Sequence, residues 1–269
     1  MLVEFTKMNG AGNDFILLDN RSGQWRLTPE QVIRLCDRHR GVGADGVLLL
    51  EPSRTGRADW AWQFYNSDGS EAEMCGNGAR CFARFVQRVT GADGRLTFET
   101  RAGIIEAELR GDRVTVGLTP PKDWRLDLDL ETSRGPVHGH AVNTGVPHLV
   151  LLTPDVEQAP VAELGRELRR HPAFQPAGTN VNFVQILEPG HIRVRTYERG
   201  VEAETLACGT GVTASALVCA RIESWPPPVK VRVQGGDTLE VAFTRDGDDF
   251  HAVRLTGPAD FVFTGRIEI

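Results

Sequence analysis

Two cysteines stand directly before glycine-rich turns, one in each half of the chain. Cys75 lies in EMCGNGARC, residues 73 to 81, and Cys208 lies in ETLACGTG, residues 204 to 211. The residues that follow each turn predict a helix. The N-terminus of a helix presents unpaired N–H groups and a partial positive charge, which bind anions and lower the pKa of a nearby thiol. Each cysteine could therefore be a poised thiolate, or an ordinary buried cysteine in a turn.

The two stretches belong to an internal repeat. FYNSDGSEAEMCGNGARCFA, residues 64 to 83, resembles TYERGVEAETLACGTGVTAS, residues 196 to 215, with the two cysteines 133 positions apart. The glycines at 12 and 145 share this offset. Ordered matches at a nearly constant offset indicate two copies of one domain. We expect domains over 1–120 and 121–269, joined near LTPPKDWR.

Similar elements are predicted in both halves. Each half starts with a β-rich run, FILLD or HLVLL, and continues with a helix. Thr28 and Gln31 form a capping box for the first of these helices, and Pro160 opens the second. The helix GVTASALVCARI, after the second cysteine turn, is apolar nearly all round, which predicts burial. We expect an α/β (α+β) fold of two pseudo-symmetric domains, each a mixed, mostly antiparallel barrel-like sheet around a buried central helix.

The duplication suggests a use for the two cysteines. An approximate two-fold axis would place Cys75 and Cys208 on opposite sides of an interdomain cleft, with the amides of both glycine turns pointing at one ligand. Glycine allows such a close approach of the backbone. Opposed thiols could remove a proton from one face of a carbon and return it to the other. This chemistry is that of a two-base racemase or epimerase.

Composition excludes several other classes of function. The 269 residues carry a net charge of −6, so there is no general basic field for nucleic acid. We find no signal peptide and no apolar run long enough to cross a membrane. The five cysteines show no zinc-site spacing and fit reduced thiols, which predicts a cytoplasmic protein without a metal. No Walker A or dinucleotide motif is present, and no cofactor is indicated.

The motifs together resemble the diaminopimelate epimerase family. The matching stretches are GAGNDF (10 to 15), GVGADG (41 to 46), NSDGSEAEMCGNGARC (66 to 81), GTNVNF (178 to 183), YERG (197 to 200) and ETLACGTG (204 to 211). The resemblance implies interconversion of LL- and meso-diaminopimelate in the lysine and cell-wall pathway, without cofactor or metal. It also suggests that the tail, 261–269, returns to the first domain. The expected partner is this small molecule, and a homodimer is kept open.

The resemblance also assigns roles to individual residues. By the family pattern, Cys208 would deprotonate the LL isomer and Cys75 would reprotonate it. His148 and Glu198 would adjust the pKa values of the two cysteines. The implied substrate-binding residues are Asn13, Asn66, Gly76, Asn77, Asn180, Glu198, Arg199, Gly209 and Thr210.

Among these binding residues, Glu198 and Asn66 would hold the reacting ammonium group. Arg199, with Asn13 and Asn180, would bind the far end of the substrate, since a guanidinium can pair bidentately with a carboxylate.

Two positions depart from the family pattern. Val146 stands where many members have an amide that contacts the distal group, and Gly46 falls where some carry Gln. Both changes bear on the distal half of the substrate more than on the chemistry. A different racemase or isomerase of the superfamily therefore stays an alternative.

Simpler interpretations compete with these assignments. The asparagines at 13 and 180 could be turn formers, His148 could be structural, and Glu198–Arg199 could be a solvated strand end. We expect Cys36, Cys81 and Cys219 to be core thiols. A thiol redox protein and a non-catalytic amino-acid-binding module are the alternatives from other classes.

Overall fold

The computed structural model describes residues 2–269, and its fold is mixed α+β. The helices are α1 (Pro29–Cys36), α2 (Gly76–Thr90), α3 (Val161–Arg169) and α4 (Gly209–Ile222). The first strands are β1 (Leu2–Asn9), β2 (Asp14–Asp19), β3 (Gly46–Pro52), β4 (Trp60–Asn66), β5 (Arg95–Thr100), β6 (Gly103–Arg110) and β7 (Arg113–Gly117). The remaining strands are β8 (Lys122–Leu130), β9 (Val137–Asn143), β10 (Pro147–Leu152), β11 (Asn180–Glu188), β12 (His191–Glu198), β13 (Ala203–Thr205), β14 (Val229–Arg232), β15 (Thr238–Asp246), β16 (Asp249–Pro258) and β17 (Asp260–Glu268).

The chain divides into two compact units. The first unit runs up to Gly117 and includes Gly257–Ile269, whereas the second is Leu118–Thr256. Strand β17 pairs antiparallel with β1, so the C-terminal tail completes the sheet of the first unit.

The first unit has a mixed sheet, and its parallel strand pairs account for the positions of helices α1 and α2. Strands β2 and β3 are parallel, and α1 lies in the crossover between them. Strand β4 then pairs antiparallel with β3 and parallel with β5, with α2 in this second crossover. Strands β5, β6 and β7 continue as antiparallel neighbours. A parallel pair requires a crossover of this kind, and both crossovers contain a helix.

The second unit repeats this topology strand by strand. Strands β10 and β11 are parallel with α3 between them, and β12 pairs antiparallel with β11 and parallel with β14 around α4. Strands β14, β15 and β16 follow as antiparallel neighbours. The sheet continues through β9 to β8, as the first sheet does through β1 to β17. The predicted fold class, with two pseudo-symmetric domains, is confirmed.

Both central helices are buried, as the sequence predicts. Helix α4 has a buried side chain or backbone at nearly every position from Gly209 to Ala220. Helix α2 is buried over its first turns, where Phe82 packs against Trp62 and Phe98 at ring-centroid distances of 5.7 and 4.8 Å. The capping box of α1 is also present, with both of its reciprocal bonds.

The β8–β9 hairpin, which begins within the predicted linker, was not predicted from the sequence. The pairing shifts register on both sides of Arg125, and Asp123 and Asp127 adopt positive φ values of 56° and 55°. Such irregular pairing breaks the simple alternation by which a strand is recognised.

Each helix of residues 2–269 is too short or too polar to serve as a transmembrane span.

Candidate functional site

Cys75 is the N-cap of α2. Its backbone is extended, and its Sγ accepts a hydrogen bond from the Gly78 N–H at 3.4 Å. The thiol also lies 3.6 Å from Asn13 Oδ1, to which it donates. The first helical turn therefore presents its N–H groups at Gly76 and Asn77 beside this sulfur.

Asn13 is held by an acidic partner from the GVGADG loop. Its Nδ2 donates to Asp45 Oδ2, so its carbonyl oxygen is the end that faces Cys75. Asn13 lies in the turn between β1 and β2, where Ala11 and Gly12 have positive φ values of 64° and 90°. This left-handed backbone turns the asparagine toward the start of α2.

Asp45 belongs to a charged network beneath this turn. Arg38 pairs bidentately with Asp14 at 3.0 and 2.9 Å and also reaches Asp45 at 2.9 Å. The buried Lys7 lies 2.7 Å from Asp14. Burial favours the neutral form of Asp14, but the bonds from Arg38 and Lys7 outweigh it and lower its pKa to about 2. Burial, reinforced by the charge of Asp14, raises the pKa of Asp45.

Arg80, which was not among the predicted site residues, organises the same helix start. Its side chain is fully buried and donates to the Gly10 and Gly76 carbonyls at 3.3 and 3.2 Å. It also donates to Asn77 Oδ1 at 3.0 Å. The side chain of Asn77 is therefore held by Arg80. A sequence signal existed in NGARC, where arginine stands among small residues in a buried helix turn.

Asn66 and Gly46 lie opposite one another in the β3–β4 ladder. Asn66 is exposed, and its amide donates to Ser70 Oγ at 3.0 Å. A Cβ at Gly46 would lie 2.6 Å from Tyr65 O and 2.8 Å from the ring of Phe64. Glutamine therefore cannot replace this glycine without a shift of the backbone.

Cys208 is the N-cap of α4 in the second unit. It is buried, and its Sγ lies 3.5 Å from the hydroxyl of Thr210. The Thr210 carbonyl accepts from Thr144 Oγ1 at 2.9 Å, which ties the helix start to the loop between β9 and β10. Gly209 and Thr210 form the first turn of the helix, equivalent to Gly76 and Asn77.

Asn180 and Arg199 are brought together by the β10–β11–β12 ladder. The buried amide of Asn180 donates to Pro147 O at 3.0 Å and accepts from the Arg199 N–H at 2.8 Å. The guanidinium of Arg199 donates to Ala177 O at 3.0 Å. Neighbouring Glu198 accepts from Thr205 Oγ1 at 2.9 Å. Asn180 therefore clamps the strand ends that carry Glu198 and Arg199.

His148 is fully buried and neutral. Burial, with a smaller effect from the charge of Arg199, lowers its pKa to about 3. Its Nδ1 lies 3.2 Å from Asn182 Nδ2, which donates, so the ring proton is on Nε2. Asn182, which the sequence analysis did not select, also bonds Leu149 O and Thr196 Oγ1, each at 2.9 Å.

The three remaining cysteines differ in environment from Cys75 and Cys208. Cys36, Cys81 and Cys219 are buried, and burial raises the pKa of each thiol to about 12. The prediction that these are core thiols is confirmed.

A cavity of about 250 Å³ in the second unit borders one of the predicted residues. It is lined by His148, Asn143, Arg125 and Thr179 among others, whereas Cys208 and Arg199 do not contribute to the lining. The cavity therefore lies to one side of the cysteine turn.

Comparison with known proteins identifies the family. The model of the diaminopimelate epimerase family matches residues 5–124 and 140–262. Diaminopimelate epimerase of Aquifex aeolicus (strain VF5) is 44% identical over 279 residues, covering 98% of each chain. That of Thioalkalivibrio sulfidiphilus (strain HL-EbGR7) is 44% identical over 284 residues and covers both chains completely.

Solved structures share the fold at lower identity. A hydroxyproline epimerase from Agrobacterium vitis, with bound trans-4-hydroxy-L-proline, has a TM-score of 0.74 and 20% identity, covering 99% of this chain and 92% of that one. A PhzF-family phenazine biosynthesis protein from Bacillus anthracis has a TM-score of 0.76 and 14% identity, covering both chains completely. At these identities the likeness concerns the fold.

Proposed function

Because the chain belongs to the diaminopimelate epimerase family, whose members are isomerases, we propose that it interconverts LL-2,6-diaminopimelate and meso-2,6-diaminopimelate. The reaction supplies precursors of lysine and peptidoglycan. The observation that carries the proposal is that Cys75 and Cys208 cap equivalent helices in the two copies of a duplicated domain.

The reaction inverts one carbon by a two-base mechanism. One cysteine, as thiolate, takes the Cα proton and becomes a thiol. The other, as thiol, donates its proton to the opposite face of the same carbon and becomes a thiolate. No bond other than C–H and S–H changes, and the electron pair left on Cα receives the new proton. The roles reverse with the direction of the reaction.

The hydrogen bond from Cys75 to Asn13 supports the assignment of Cys75 as the acid toward the LL isomer. Its thiol donates to Asn13 Oδ1, an acceptor that favours the protonated sulfur. In that direction Cys208 is the base. Cys208 lies at a helix N-terminus, whose positive dipole favours a thiolate there.

The carbanion-like transition state needs donors aimed at the substrate carboxylate. The N–H groups of the two helix starts, at Gly76–Asn77 and Gly209–Thr210, serve this purpose because they are fixed before the reaction begins. Glu198 and Asn66 hold the reacting ammonium group. Arg199, Asn13 and Asn180 act on the distal end, and His148 and Glu198 tune the pKa values of the cysteines.

The proposal is tested with LL-diaminopimelate in deuterated water. We expect meso product with one solvent deuterium at the inverted carbon, followed by chromatography and mass spectrometry. Cys75→Ala and Cys208→Ala should lose product formation, whereas Cys36→Ala, which removes a core thiol, should keep it. Turnover that persists in Cys75→Ala or Cys208→Ala would contradict the two-base assignment.

The alternative is another amino-acid racemase or isomerase that needs no pyridoxal phosphate. Val146 is the observation that favours it, because valine offers no side-chain hydrogen bond where many members have an amide. A panel of amino acids under the same conditions separates the two: exchange with another substrate, and none with diaminopimelate, would select the alternative.

A cytoplasmic location and a homodimer also belong to this proposal. Light scattering of the purified protein tests the assembly, and a monomeric mass at working concentration would exclude the homodimer.

A further inference from the structure

A cluster of metal-ligating side chains lies on the β8–β9 hairpin, in a part of the second unit that the proposed reaction does not use. His138 and His140 are two positions apart on β9 and therefore lie on one face of the sheet. Asp129 pairs with His138 across the ladder, and the Asp127 N–H reaches His140.

The ligand atoms of three of these residues have the spacing of a coordination site. Asp127 Oδ1 lies 3.3 Å from His138 Nε2 and 3.9 Å from His140 Nδ1, and one ligand atom from each of the three residues lies within 4.8 Å of the other two. With metal–ligand bonds of about 2.0–2.2 Å, tetrahedral ligand atoms lie roughly 3.3–3.6 Å apart. Small side-chain movements bring the three atoms onto one ion.

The ring nitrogens of both histidines have partners that bear on coordination. The Asp127 N–H donates to His140 Nδ1 at 3.2 Å, so this nitrogen is unprotonated, and a metal ion would take the place of that hydrogen bond. His138 Nδ1 lies 3.0 Å from Asp129 Oδ1. A histidine that donates its second ring N–H to a carboxylate is oriented and made more basic toward a metal on its other nitrogen.

We propose that Asp127, His138 and His140 bind a divalent transition metal ion of the zinc class. Two imidazoles and one carboxylate suit Zn²⁺. The ion would bridge β8 and β9 next to the register shift of this hairpin. Zn²⁺ binds the folded chain across two strands and should therefore raise its melting temperature.

The test uses the full chain with Cys75→Ala and Cys208→Ala, so that added Zn²⁺ cannot bind the two thiols of the proposed reaction. Isothermal titration with Zn²⁺ should give one ion per chain. His138→Ala and Asp127→Asn should each weaken the affinity at least about tenfold and abolish the rise in melting temperature. His251→Ala, which removes a histidine on β16, should bind as its parent does.

Three results bear on the proposal. A single site that depends on His138 and Asp127 supports it. Absence of Zn²⁺ binding in the parent overturns it, and so does equal affinity in His138→Ala and His251→Ala. Because His138 and Asp127 are both exposed, their replacement leaves the core intact, and circular dichroism checks that each variant is folded.

Discussion

The side-chain amide of Asn13 has two ends with different partners, and this decides how it faces Cys75. An ionised carboxylate only accepts hydrogen bonds, so Asp45 requires the Nδ2 end. The Oδ1 end is then directed at the sulfur, where it accepts from the thiol but repels a thiolate. Asp45 therefore acts on Cys75 through Asn13 as a positioning residue, anchored in turn by Arg38.

Replacing Asp45 by asparagine should release this orientation. The new amide can accept or donate, so Asn13 can turn its NH2 group to the sulfur and favour the thiolate. We expect Cys75 to react with iodoacetamide about fivefold faster at neutral pH, corresponding to one net hydrogen bond of about 1 kcal/mol. Peptide mass spectrometry measures the alkylation at Cys75 separately from the other cysteines.

Asp68→Asn is the control for this substitution, since Asp68 lies in the exposed turn after β4 and bonds Ser70. Its alkylation profile should match that of the wild type. An unchanged rate at Cys75 in folded Asp45→Asn would refute the positioning role.

The sequence predicted the cysteines and their helix starts because both depend on local order along the chain. Asp45, Arg80 and Asn182 were not predicted as site residues, because each is placed by hydrogen bonds to elements that are distant in sequence. Arg80 reaches Gly10, for example, 70 residues away. A motif shows that such a residue is polar, but only the folded chain shows which end of it faces which partner.

At the scale of elements, the two central helices are equivalent in topology but differ in their contacts. Gly78 and Gly211 occupy matching positions, three residues after each cysteine. A Cβ at Gly78 would make ordinary contacts of 3.4 to 3.5 Å with Phe15, Cys75 and Leu48. A Cβ at Gly211 would instead overlap Asn182 Oδ1, which is buried in the His148 network.

This difference predicts opposite outcomes for the same substitution. Gly211→Ala should destabilise the protein by about 1–3 kcal/mol, the usual cost of overpacking a core. Gly78→Ala should be neutral or slightly stabilising, because alanine is the better helix former. Urea denaturation of both variants measures the two effects. Equal losses of unfolding free energy would show that the contact with Asn182 does not decide the outcome.

The elements that could be predicted are those with strong local signals. The capping box of α1 and the apolar α4 both occur where expected. The β8–β9 hairpin was not predicted, because its register shifts and the positive φ values of Asp123 and Asp127 disturb the alternation of apolar and polar residues. The Asp–His–His cluster on it could not be found from spacing along the chain, since it depends on the pairing of two strands.

For the whole molecule, Asp14 and the buried His148 make stability depend on pH in different ranges. Asp14 has a lowered pKa, so its contribution is complete above its unfolded value of 3.8 and is lost as the pH falls through about 2. His148 also has a lowered pKa, about 3 against 6.5 in the unfolded chain. Its contribution is complete above pH 6.5 and is lost progressively below it. The window between pH 6.5 and about 4 therefore reports on His148 more than on Asp14.

Within that window the unfolded chain takes up a proton at His148 that the folded chain does not. The free energy of unfolding should therefore fall by about 1.4 kcal/mol per pH unit from this residue alone. His148→Asn keeps an acceptor for Asn182 and removes the titrating group. Urea denaturation at pH 6, 5 and 4 should thus show that the free energy of unfolding falls less steeply with decreasing pH in the variant. The difference in slope should correspond to roughly one proton. Above pH 6.5 the free energies of unfolding of the two proteins should change with pH in the same way, which is the internal control. Equal slopes below pH 6.5 would mean that His148 takes up its proton in the folded state as well.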